Sequence, residues 1–428
     1  MVVLQFIANN IIGNPGILFG LIALTGLMLQ KRSFSDTLMG VVKTIIGYEI
    51  LVVGCGPLQA ACNAVGDMIS LLMGGATGII PQNWMIQAAS TAEFGTEVGL
   101  TVLVGFIVNL ILARVTKLKY VALTGQILVI WASFAVGVAG GYEGISTMQI
   151  VLFCGIFCGI YNWLATAVSH YFMKKSGNMT DEYALYVTEI TGIAVTSWLS
   201  KLIGNKEKRC DDMEVPEWLE WVRDTTVCVT TISIVIWTII GIICGPANVA
   251  TLTGGSNWFI WLIFQGVDFG AGLTIVLFGV RMMLAEIVPA FKGIATKVIP
   301  GAVAGLDYPT SFQFAPMAVF IGFFANLAGA VTATILMTTL GFNIIVLPAI
   351  WMNFWTGGML GVFADCYGGR RATVIVCFLM GLIVPFGWAA AYPLAGSFLS
   401  TLGATADYTD TATIGLVYEY IVKLIFGR

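Results

Sequence analysis

The sequence predicts an all-α, polytopic helical membrane protein of about eleven transmembrane helices. Three observations carry that expectation. Of 428 residues, 58% are hydrophobic and 10% charged, with a mean hydropathy of +0.91, a composition outside the range of soluble domains. Apolar runs of about 20 residues recur along the chain, each long enough to cross a hydrocarbon layer of about 30 Å as a helix. Between them lie polar breaks rich in Gly and Pro, which read as interfacial or re-entrant elements. A helix that stops at bilayer depth leaves backbone groups that only a protein-enclosed cavity tolerates. The formal charge of −3, with no basic run longer than two residues, removes nucleic acid from the partner classes. No phosphate-cradling GxxxxGK[ST] occurs, so the chain does not power itself through a P-loop.

Residues 1–20 have no basic start and no small-residue cleavage site, so the first span, 16–30, is expected to be retained. It ends at Lys31 and Arg32, which the positive-inside rule places in the cytoplasm. A second span covers 38–54. Residues 56–95, with Pro57, Gly74, Gly75, Gly78 and Pro81 and polar residues running to Glu93, are too broken to span and predict interfacial helices or a re-entrant element. Spans at 97–115, 121–140 and 147–172 follow, with Lys117, Lys119, Lys174 and Lys175 as further cytoplasmic markers. Residues 179–203 are too polar for a lipid-facing helix and predict a re-entrant segment. Residues 205–224 form the one clearly soluble loop, with Lys206, Lys208, Arg209 and Glu214, suited to a cytoplasmic partner. Further spans are expected at 225–244, 258–284, 288–305, 317–337, 340–355, 372–391 and 414–426, with a Gly-rich break at 353–371.

The chain thus reads as a single membrane-embedded unit over 1–428, with a first half 1–204, the loop 205–224 and a second half 225–428. GFIVNL at 105–110 recurs as GFFANL at 322–327. Duplicated halves with matching breaks are the pattern of transporters that hold substrate at the midplane, and the charge flanking the two copies favours an inverted repeat.

The stretch 279–316 places Arg281, Glu286 and Asp307 among apolar segments. An ionisable group at that depth faces a partner, a water-filled cavity or a substrate. Asp307, flanked by Tyr308 and followed by Pro309, sits where a helix must stop, and its carboxylate suits substrate hydroxyls; an ion pair with a neighbouring span is the alternative. Arg281 and Glu286 are five residues apart and predict a structural ion pair. Glu189, with Thr188 beside it, is a site candidate or a solvated hairpin charge. Gln126 suits a polyol or sugar, or a helix–helix hydrogen bond. Gln87 and Ser90 belong to the weaker polar run 87–93. Trp84, Trp131, Trp163 and Trp198 read as interface residues, with stacking on a sugar ring as the alternative. Nine scattered cysteines without metal spacing, and a lone His170, predict no metal and no cofactor.

At GVRMMLAEIVPAFKGIATKVIPGAVAGLD and FAPMAVFIGF the chain resembles the ascorbate-type membrane subunits, enzyme IIC, of the bacterial phosphoenolpyruvate-dependent sugar phosphotransferase system. Further matches at KTIIGYEILVVGCG, which contains Cys55, at ALTGQ, at TDEY, SWLSKLIG and LGVFADCYGGRRA extend the resemblance over nearly the whole chain in order. It implies a homodimer in the inner-membrane lipid, each protomer with a scaffold and a mobile core whose two re-entrant hairpins hold the sugar and move as an elevator. It also implies phosphorylation of the substrate by a separate cytoplasmic IIB subunit, itself charged by IIA, so that this chain carries no catalytic nucleophile. Asp307 falls on a substrate-binding aspartate of the family. The family's histidines after the TG of ALTGQ and in the first hairpin are replaced here by Gln126 and by Thr188, Glu189 and Ile190. L-ascorbate, a pentitol, a hexitol or another sugar is therefore the expected cargo, with Asp307, Gln126, Glu189, Thr188, Gln87, Ser90, Tyr308 and Cys55 as the site. An ion-coupled secondary transporter for a small polar solute is the alternative.

Overall fold

Lipid offers a backbone polar group no partner, so the apolar runs close their hydrogen bonds internally as helices. The computed structural model describes residues 15–72, 78–212 and 224–427. Its helices are α1 (Pro15–Leu29), α2 (Phe34–Leu72), α3 (Asn83–Val115), α4 (Gly125–Gly140), α5 (Thr147–Ser176), α6 (Ile190–Ile203), α7 (Thr225–Cys244), α8 (Trp258–Lys297), the short α9 (Pro309–Phe312), α10 (Pro316–Thr339), α11 (Ile350–Ala391) and α12 (Leu416–Phe426). Among the described residues, 6 helices are long and apolar enough to cross a membrane, and shorter apolar helices accompany them at Phe19–Leu29, Gly125–Gly140, Ile190–Ile203 and Val229–Cys244.

Several expected boundaries are corrected. Residues 56–72 are not interfacial but complete α2, a 39-residue helix that runs through Pro57. Within the described residues the break is confined to 78–82, ahead of α3. The expected spans 258–284 and 288–305 are largely one 40-residue helix, α8, which accommodates Pro289. The break foreseen across 353–371 narrows to Gly369, whose φ of 65° interrupts α11. Residues 340–349 are a loop, and α12 has only 11 residues, about 16 Å of helix, too short to span. Trp131 is buried and stacks on Tyr161 at 4.3 Å between ring centroids, away from any interface. Gly74, Gly75, Glu214 and the side chain of Trp84 lie outside the described residues.

Where helices stop, short parallel strands take over. The strands are β1 (Ile80–Pro81), β2 (Tyr120–Ala122), β3 (Ala184–Leu185), β4 (Val303–Leu306) and β5 (Ala404–Thr405). They form a three-stranded sheet of order β2-β4-β3 and a pair β1-β5, parallel throughout. The sequence reading contained no strands, yet backbone accounting explains them: extended segments enclosed by protein satisfy one another. Asn109, from the first repeat copy, closes the free side of β2 by donating to the Tyr120 carbonyl at 3.1 Å and accepting the Ala122 N–H at 3.0 Å. Each strand leads within a few residues into a helical start, so parallel strands bring several helix N-termini together.

The helices pack as two bodies. In the first, α8 lies against α1, α2 and α7 through glycines that let backbones touch: a Cβ on Gly54 would sit 2.8 Å from the Gly272 carbonyl oxygen. The second contains the strands, with α10 against α11 and α3 against α4 and α5. Here Gly105 of the first repeat copy meets Gly155 and Gly159, and Gly322 of the second meets Gly357 and Gly361, so each copy supplies the glycine of a close helix crossing. Between the bodies aromatic contacts recur, beside an ion pair of Lys292 with Glu182 at 3.2 Å. Phe269 of α8 faces Phe323 at 5.7 Å and Phe354 at 5.6 Å, and Trp237 of α7 faces Phe324 at 6.0 Å between centroids.

Candidate functional site

Polar side chains gather where the strands end, around a cavity of about 330 Å³. α2 supplies Tyr48, Cys55 and Gln59; the starts of α3 and α4 supply Asn83 and Gln126; the turn after β4 supplies Asp307 and Tyr308. Trp351 and Trp355 at the start of α11, and Tyr408 after β5, complete the wall. The cavity therefore lies between the two bodies.

Local sequence fixes Asp307. Gly301, at φ 78°, turns the chain after α8, and Gly305 lets β4 pass beneath Thr166, where a Cβ would come within 2.7 Å of the threonine methyl. Pro309 then opens α9, where its missing N–H costs nothing. Asp307 Oδ1 accepts the Tyr308 N–H at 2.7 Å. Its other carboxylate oxygen has no protein donor, and no Lys or Arg pairs with it, among the described residues. The ion-pair alternative thus finds no partner there. The N-terminus of α4 has no side-chain cap, and the buried Thr124 hydroxyl has no hydrogen-bond partner among the described residues. Its first N–H groups and Gln126 are placed to meet a ligand oxygen.

Other candidates stand behind this wall. Glu189 is fully buried, and its carboxylate accepts from the Thr356 hydroxyl at 2.6 Å, the Thr409 N–H at 3.0 Å and the Tyr308 hydroxyl at 3.4 Å. Thr188 Oγ1 is 3.4 Å from the same Tyr308 hydroxyl. Neither lines the cavity itself; both stand behind its Tyr308 and Tyr408. Gln87 and Ser90 lie farther along α3 and are absent from the lining; Ser90 faces Gly137 of α4. The expected Arg281–Glu286 pair is not formed, since Glu286 pairs with Lys43 from α2 at 3.3 Å.

The sequence reading missed the turn after β5. Asp410 accepts the Ile190 and Thr191 N–H groups, each at 2.8 Å, and a hydroxyl proton from Tyr161, and so caps α6. Asp407 exchanges hydrogen bonds with Asn83 at the start of α3. The available signal was ATADYTDTATIG at 404–415, two carboxylates and a series of threonines between apolar runs. No group of three or more His, Cys, Asp or Glu side chains that could hold a metal occurs among the described residues.

The arrangement suits a small polyhydroxylated solute. A carboxylate, three amides and several phenols offer directed hydrogen bonds, and indole faces offer an apolar surface for sugar C–H groups. Comparison with known proteins agrees with this chemistry. Residues 10–410 match the family of PTS system sugar-specific permease components. A relative, the ascorbate-specific PTS system EIIC component of Mycoplasma pneumoniae, is 26% identical over 435 residues, covering 88% of this chain. This chain spans 64% of that relative's length, somewhat less than two thirds. With a family match over nearly its whole length and apolar helices that cross a membrane repeatedly, the chain belongs to the sugar-specific permease family, EIIC, of the phosphotransferase system, a family of multi-pass inner-membrane proteins.

Proposed function

We propose that this protein is the translocating IIC subunit of a phosphotransferase system and carries L-ascorbate or a closely related sugar or polyol. The observation that carries the proposal is the position of Asp307, whose second carboxylate oxygen has no protein donor among the described residues, in a cavity that both bodies line. The glycine-packed α1, α2, α7 and α8 act as the scaffold. The strand-bearing body, with Asp307, Gln126 and Asn83, acts as the core that travels along the aromatic seam. In this reading two protomers associate through their scaffolds, and the cavity gives the substrate alternate access to the two sides.

Phosphoryl transfer belongs in this reading to a separate IIB subunit, charged by IIA, acting at the cytoplasmic side; the match to the permease component of a phosphotransferase system supports that division. The ascorbate specificity in the relative's name supports a sugar acid, and the uncapped N-terminus of α4 is favourable to an anionic oxygen.

Proteoliposome uptake of labelled L-ascorbate and of a polyol panel, with and without phosphorylated IIB, tests the proposal. A phosphorylated product that requires phosphorylated IIB is the expected result. Accumulation of unmodified solute along an ion gradient, independent of IIB, would overturn it.

A further inference from the structure

Arg281 is a charge on a membrane-spanning helix that the transport reading leaves unused. It sits on α8 in a groove of about 220 Å³ with Thr226, Leu273, Thr274, Leu277, Phe278 and Pro316. Its neighbour on the same helix, Lys292, pairs with Glu182 at 3.2 Å, whereas Arg281 is exposed and has no carboxylate partner among the described residues. A guanidinium on a spanning helix favours an anion that meets it.

The groove lies at the depth where spans begin. α7 starts at Thr225 with Asp224 as its cap, and α10 starts at Pro316, where the Met317 N–H is held by Asp211 of the polar loop at 3.2 Å. The groove thus adjoins the polar loop and the starts of two helices, with apolar residues beside it. The Thr226 and Thr274 hydroxyls lie 3.1 Å apart, and Thr274 also donates to the Gly270 carbonyl at 2.8 Å.

We propose that this groove binds an anionic phospholipid, its phosphate held by the Arg281 guanidinium and an acyl chain lying on Leu277 and the exposed Phe278. Guanidinium matches phosphate through two parallel N–H bonds, and basic pockets between spanning helices are a recurring form of headgroup recognition. No carboxylate lines the groove to receive a choline or ethanolamine cation, so a net-negative headgroup is favoured over a zwitterionic one. Because α7 and α8 belong to the first body and Pro316 to the second, the bound lipid touches both and biases their relative position.

The test uses the full-length protein in detergent. Phosphatidylglycerol is expected to raise the unfolding temperature by about 2 °C, whereas phosphatidylcholine and inorganic phosphate at equal concentration do not. Arg281→Gln loses the shift, Arg32→Gln keeps it, and Leu277→Trp, which fills the groove without touching the charge, also loses it. Native mass spectrometry is expected to show a phosphatidylglycerol adduct on the wild type that both groove variants lack. An undiminished shift or adduct in Arg281→Gln and Leu277→Trp, an equal shift with phosphatidylcholine, or an equal shift with phosphate alone would each overturn the lipid assignment. None of these outcomes bears on sugar uptake.

Discussion

Asn83 and Asp407 hold each other reciprocally: the Asn83 N–H donates to Asp407 Oδ2 and the Asp407 N–H donates to Asn83 Oδ1, each at 3.1 Å. The two residues are 324 apart in sequence, and their clasp extends the pairing of β1 with β5 by one step into the cavity wall. Asp407→Ala removes the acceptor for a buried N–H and is expected to cost about 1–3 kcal/mol, with loss of ligand affinity because Asn83 no longer holds its place. Asp407→Asn keeps an acceptor of the same shape and is expected to be far milder. Thermal unfolding and equilibrium binding of both variants decide it; an Asp407→Ala protein with wild-type stability would remove the clasp from the account.

Asp307 carries the most direct prediction. Asp307→Asn preserves the volume and the acceptor for the Tyr308 N–H, so the fold is expected to survive. A hydrogen bond to a charged group contributes about 1.5–3 kcal/mol, so binding is expected to weaken by about 10- to 100-fold. Binding measured beside thermal unfolding separates a ligand contact from a structural carboxylate, which would change stability and leave affinity nearly intact.

Glu189 is expected to behave in the opposite way. Its oxygens are occupied by the Thr356 hydroxyl, the Thr409 N–H and the Tyr308 hydroxyl. In Glu189→Gln the amide oxygen can accept the Thr409 N–H while its NH₂ donates to hydroxyls that reverse their roles. Substrate affinity is therefore expected to stay within a few-fold, whereas Glu189→Ala destabilises by about 1–3 kcal/mol. A loss of affinity in Glu189→Gln as large as in Asp307→Asn would put the Glu189 charge on the substrate itself.

The membrane class, many of the spans and the chain break at Asp307 were legible because each rests on local sequence. Hydrophobic length marks a span, and Gly301, Gly305 and Pro309 mark a break around one carboxylate. The strands were not legible, since a two-residue strand such as Ala404–Thr405 carries no periodicity and exists only because Ile80–Pro81 lies beside it. The same limit hid the partner of Glu286, because Lys43 is distant in sequence and five-residue spacing to Arg281 was the nearer clue. Pro57 and Pro289 misled in the other direction: each reads as a helix end, yet the long helices α2 and α8 absorb them, as spanning helices packed against neighbours do. Thr188 and Glu189 stand behind the cavity wall rather than in it, a distinction that sequence does not carry.

The contrast between glycine contacts within the first body and aromatic contacts across the seam gives the last prediction. A Cβ on Gly279 would lie 2.7 Å from the Gly47 carbonyl oxygen and 2.9 Å from the Leu51 Cα, all backbone atoms that have no alternative position. Gly279→Val is therefore expected to separate α2 from α8, at the several kcal/mol typical of overpacking, and to yield little folded protein. Phe269 also is fully buried, but its neighbours Phe323 and Phe354 are side chains on the other body. Phe269→Leu gives up ring contacts worth about 0.5–1.5 kcal/mol each while keeping an apolar surface, so folded protein and substrate affinity are expected to persist. What changes is the relative ease of positions along the seam, and with it the uptake rate. Binding and uptake measured on the same preparation check this: a rate altered at constant affinity agrees with two bodies that move against each other, and equal changes in both would argue that they move as one.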